Sequence, residues 1–194
     1  MKRRLKILLT GSAIGLGTYV GAYLVIPHSF VPAEFSEARI QSATLAERIV
    51  SNSEASLANL QAIAQYDKNG EIAPALALIA QEFARTRETQ DAAVKLSSRL
   101  EAMARSIDAI RPAEARLLAT EAISAEVALV SRLISYNDRL KELFEVLREK
   151  FEHPGLATNG RVEALVGKVN EEARAINEFN RRSTQSLAEF DKLF

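Results

Sequence analysis

Four stretches of this chain repeat apolar residues every third or fourth position, the period of a helix with one buried face. The first covers residues 33–67, with Phe35, Ala38, Leu45, Ile49, Leu60 and Ile63 on one side and a weaker middle at Asn52, Ser53 and Ser56. Lys68-Asn69-Gly70 follows, where Asn69 or Gly70 suits the left-handed residue that closes a helix. The second predicted helix covers 71–110. Pro74 falls in its first turn, where a missing N–H costs nothing. Its seam reads Leu76, Ile79, Phe83, Thr86, Gln90, Ala93, Leu96, Leu100, Met103, Ile107 and Ile110, with steps of three and four alternating almost throughout.

Arg111-Pro112 interrupts that pattern and opens a third helix over 113–152, which holds no Gly or Pro. Val130, Leu133, Asn137, Leu140, Phe144, Leu147 and Phe151 form one line, and Leu129, Tyr136 and Leu143 widen it. A stripe this broad needs two neighbours. His153-Pro154-Gly155 stops the helix, and Thr158 or Asn159 is the expected N-cap of a fourth over 160–193. That one carries Val162, Leu165, Val169, Ala173, Ile176, Ser183, Leu187, Phe190 and, just past it, Phe194. Helices of matched length, about 50–60 Å at 1.5 Å per residue, joined by short loops predict an all-α, antiparallel up-down-up-down four-helix bundle over residues 33–194.

Ahead of the bundle the periodicity vanishes. Residues 7–26 are twenty in a row without a charge, between Lys2, Arg3, Arg4 and Lys6 on one side and Pro27 on the other. A helix of that length spans about 30 Å, so a single transmembrane helix is expected over 7–26, with residues 1–6 as a basic tail. Pro27 and Pro32 bracket a linker, 27–32. The basic flank places the N-terminus in the cytoplasm and the bundle outside. A cleaved secretory signal is the competing reading, since Val31-Pro32-Ala33 loosely fits a cleavage site, but a twenty-residue apolar run exceeds the usual length of such a segment. Ala13, Gly17 and Gly21 are spaced by four, as are Gly11 and Gly15. That spacing lets helix backbones approach and points to self-association, or packing on another membrane helix.

Composition narrows the function. Apolar residues make up 47% and aromatics only 6%, which suits long helices. Four of the 25 basic groups lie in residues 1–33, leaving 21 against 25 acidic ones, a net of −4. Nucleic acid is therefore not an expected partner. There is no Cys, which excludes disulfides, thiol catalysis and cysteine zinc sites. The two histidines, His28 and His153, adjoin proline breaks. Di-iron bundles need Glu-x-x-His on two helices, and phosphate or dinucleotide loops are missing too, so neither an enzyme nor a cofactor is expected.

One chemical feature remains. At a common rise per residue, Asn52 to Ser56, Thr86 to Gln90, Asn137 and Asn177 to Asn180 fall near one height. One reading is a polar layer that fixes the register of the helices. The other is a small polar ligand pocket lined by Thr86, Gln90, Asn137 and Asn180. In outline the architecture resembles the periplasmic four-helix sensor domains of bacterial chemoreceptors and the single-pass helical-bundle proteins of bacterial envelopes. The likeness is one of architecture and brings no functional residues with it. A receptor also needs a second span and a cytoplasmic output domain, whereas here only residues 1–6 are expected inside. The expected function is thus a non-enzymatic, membrane-anchored envelope protein that presents a helical surface to a protein partner or acts as a spacer. The alternative is a ligand-binding accessory module using the polar layer.

Overall fold

A computed structural model describes residues 29–194. The expected anchor and its small-residue pairs, Gly11, Ala13, Gly15, Gly17 and Gly21, lie outside the described residues, as does His28. Within the described residues no helix is long and apolar enough to cross a membrane.

The described chain is all-α: α1 (Ala33–Asn69), α2 (Ile72–Ser106), α3 (Ala113–Glu152) and α4 (Asn159–Asp191), with one 3-10 turn at Ile107–Ala109. Local chemistry sets the boundaries. Gly70 closes α1 with φ 76° and ψ 21°. Its N–H bonds the Asp67 carbonyl at 3.4 Å, and that of Glu71 reaches back to Tyr66 at 2.9 Å, the paired bonds that satisfy the last carbonyls of a helix. The second helix ends earlier than the expected 110, because its last residues tighten into the 3-10 turn before Pro112. Thr158 is the residue before α4, but its side chain makes no capping bond.

Consecutive helices run antiparallel. Asn52 meets Thr89 and Asn59 meets Glu82 across α1 and α2, while Glu149 meets Arg161 and Glu126 meets Ser183 across α3 and α4. Backbones pack closely between α1 and α2, α2 and α3, and α3 and α4. The broad stripe of α3 therefore does take two neighbours, and Leu129, Val130, Leu133, Leu140, Leu143, Phe144 and Leu147 are all buried. First and last helices meet through side chains at one end. Phe35 and Phe190 lie 5.6 Å apart between ring centres, and Arg39 holds Asp191 with two bonds of 2.6 and 2.8 Å. The Arg39 guanidinium also sits 5.8 Å over the Phe190 ring. At the same end the chain enters beside the α2–α3 connection. Phe30 and Arg111 exchange two backbone bonds of 3.0 Å, an isolated β-bridge.

The buried face of α2 differs from the expected seam. Ala75, Ile79, Glu82, Thr86, Thr89, Ala93, Leu96, Leu100 and Met103 face inward, while Leu76 and Phe83 are only half-buried and Gln90 is exposed. The steps between these residues alternate four and three, with Ala92 buried beside Ala93, so the helix keeps a regular heptad by burying a carboxylate instead of a phenyl ring. Phe83 lies on the flank, with the Arg148 guanidinium 5.2 Å from its ring centre.

Candidate functional site

Midway along the bundle three helices interrupt their apolar faces together. The serines that weaken the α1 stripe, Ser53 and Ser56, are buried. Small hydroxyl side chains let α2 approach there, and Glu82 fills the space with none of its surface exposed. A carboxylate is tolerated in such a place only when its oxygens are met by donors. Ser56 Oγ donates to Glu82 Oε2 at 2.5 Å, and Asn59 Nδ2 donates to Oε1 at 2.6 Å. The Arg85 guanidinium, one turn along α2, adds a charged bond to Oε1.

The network extends along the next turn. Thr86 and Thr89 return their hydroxyls to the carbonyls of Glu82 and Arg85, four residues back on their own helix. Asn52 Nδ2 reaches Thr89 Oγ1 at 3.2 Å. From α3, Asn137 Nδ2 donates to the Thr86 carbonyl at 2.9 Å. Tyr136, beside it, is buried, and its phenol is pushed up to about 12, first by burial and then by the charge of Glu82.

Thr86 and Asn137 are thus brought together as the common height predicts. The other two expected members are not. Gln90 faces solvent, because the regular heptad of α2 puts Thr89 in its place. Asn180 is half-buried on α4 at another level. Its neighbour Ser183 donates to Glu126 at 2.9 Å, and Glu126 stands eleven residues, about 16 Å, along α3 from Asn137. The Glu126 carboxyl is raised above the usual carboxylate range by burial, an effect only partly offset by the Ser183 bond and the charge of Arg39. Glu82 and Glu126 were not expected inside, since a search for apolar residues passes over both. Strict alternation of fours and threes from Ile79 to Met103 is the signal that finds Glu82.

Chemically the layer is a closed set of donors and acceptors. Ser56 and Glu82 form a hydroxyl–carboxylate pair, yet both are buried, and a substrate in solvent does not reach them in this conformation. Among the described residues no group of three or more acidic or histidine side chains is placed to hold a metal. An open surface groove of about 620 Å³ lies elsewhere, between the end of α3 and the start of α4. Glu142, Glu145, Glu149, Arg148, Arg161 and Lys168 line it with charges of both signs. Compared with protein-family models, curated proteins and solved structures, the chain matches none.

Proposed function

We propose that this chain is a non-enzymatic, membrane-anchored helical bundle of the bacterial cell envelope, which presents a helical surface to a protein partner or spaces components from the membrane. The observation that supports this most is the fate of the polar interior. Glu82, Ser56, Asn59 and Asn137 spend their hydrogen bonds on one another and on backbone, as a layer that sets register does. What the bundle offers to other molecules is then its outer surface, along helices of 33 to 40 residues. The uncharged residues 7–26 with their basic flank support the tether.

The test uses the full chain in cells, with a reporter active only outside the cytoplasm fused after Phe194. The protein is expected in the membrane fraction after an alkaline wash, with an active reporter and an N-terminus that retains residues 7–26. A mature N-terminus near Glu34, or activity only from a cytoplasmic reporter, overturns the proposal. Crosslinking in the same membranes, read by mass spectrometry, identifies the partner.

A further inference from the structure

The outer face of α3 carries a second seam that none of the four described helices covers. Leu117, Thr120, Ser124, Val127, Ser131 and Ile134 follow steps of three and four, and all six are exposed. Leu117, Val127 and Ile134 keep 66%, 53% and 37% of their surface in solvent. None of the six positions is charged, over a rise of about 26 Å. The hydroxyls on this face are already partly engaged. Thr120 Oγ1 donates to the Arg116 carbonyl at 2.8 Å and Ser124 Oγ to that of Thr120 at 2.7 Å. Covering Thr120 and Ser124 therefore leaves neither of these two donors unmet.

We infer that this face pairs with the same face of a second copy, the two α3 helices running parallel as a short coiled coil. The inference rests on the membrane-tether reading, and two observations select this occupant. The first is charge complementarity. Arg116 and Glu121 flank the seam, one position before Leu117 and one after Thr120. Neither has an ion-pair partner among the described residues. Across a parallel seam the residue at one flank faces the residue five further along on the other chain, so Arg116 of each copy meets Glu121 of its mate. The second is where the chain enters. The bridge between Phe30 and Arg111 fixes the incoming chain beside the first turn of α3. Two copies tethered side by side thus bring these helix starts together, pointing the same way. Three aliphatic layers make a weak seam alone, and confinement to one membrane supplies the effective concentration it needs.

The absence of cysteine makes the test clean. Single replacements Val127→Cys and Ile134→Cys in the full chain, oxidised in native membranes, are expected to give disulfide-linked dimers of twice the chain mass. Val94→Cys and Ile40→Cys, more exposed still on α2 and α1, are expected to give several-fold less. Arg116→Glu should reduce the Val127→Cys dimer several-fold, and adding Glu121→Arg should restore it. A circular dichroism spectrum confirms that each variant keeps its helices.

Equal crosslinking at all four positions overturns the inference, as does none at 127 and 134. Links only between Leu117→Cys and Ile134→Cys chains, the antiparallel result, or links only to a protein of another mass, also overturn it. Fractionation of the same sample reads the tether separately. A chain recovered as soluble protein sinks that reading, and the disulfide yields in that fraction still decide the seam.

Discussion

Glu82 and Asn137 are both buried polar residues of one layer, yet their replacement has opposite consequences. Glu82 accepts from Ser56, Asn59 and Arg85. In Glu82→Leu the first two lose their acceptor inside the bundle, and Arg85, already 25% exposed, turns to water. The expected loss is about 3 kcal/mol in urea unfolding. Asn137 instead donates to a carbonyl within α2, which keeps its own helical bond when the amide is gone. Asn137→Leu is expected to raise stability by up to about 1 kcal/mol, and a loss above that size in the same titration would show that the amide is needed. Tyr136 gives the layer an alkaline signature. Its folded pKa, about 12, lies above the ordinary tyrosine value, so the stability it carries is complete below pH 10 and lost as pH rises toward 12. Two pH units correspond to about 3 kcal/mol. In Tyr136→Phe the fall in unfolding free energy between pH 10 and 12, read by urea titration at each pH, should be smaller by about 2 kcal/mol.

At the scale of helices, the closing residue of α1 is a clean case of conformation alone. Gly70 has positive φ, and a Cβ added there would meet nothing within 4 Å. Gly70→Ala should therefore cost about 1–2 kcal/mol through backbone strain, without any clash. A chemical melt showing no change would mean that the α1–α2 turn has another conformation open to it. This cap was legible because Asn-Gly after a fading stripe has one common use. The faces of α3 and α4 were legible for a different reason. Their inner positions hold Leu, Val, Ile and Phe, so size and polarity point the same way. On α2 the two cues conflict. Phe83 is the greasier residue and Glu82 the one in register, and burial cost made the sequence favour Phe83. Register prevailed because Ser56, Asn59 and Arg85 supply the donors, and those lie on another helix or one turn away. A pattern of single residues does not display such pairings. The level of Asn180 was misjudged for a related reason: counting from helix ends assumes equal offsets, whereas the α3–α4 loop from His153 to Thr158 shifts the pairing.

For the whole molecule, the join between first and last helices at one end adds to the α2–α3 packing that already ties the two hairpins together. Phe35, Phe190 and Phe194 stack at that end, with Arg39 and Asp191 beside them. Phe190 is almost fully buried, and Phe190→Ala should cost about 3–5 kcal/mol. The loss should be local first. Hydrogen exchange at the last turns of α4 and the first turns of α1 is expected to speed up well before the middle layer around Glu82 opens. Uniform acceleration along all four helices would mean instead that the bundle opens only as a whole.

The small bridge between Phe30 and Arg111 has a mechanical meaning. A chain that simply ran into the first turn of α1 would, when pulled from its N-terminal side, unravel that helix one turn at a time. Here the load passes first through two backbone bonds to the junction of α2 and α3. Tension arriving ahead of Ser29 is therefore shared between the root of α1 and the root of α3, and the hinge between the hairpins becomes the point of attachment. The bundle is held by its middle strut as well as by its leading end, and it resists being peeled open by a pull from its N-terminal side.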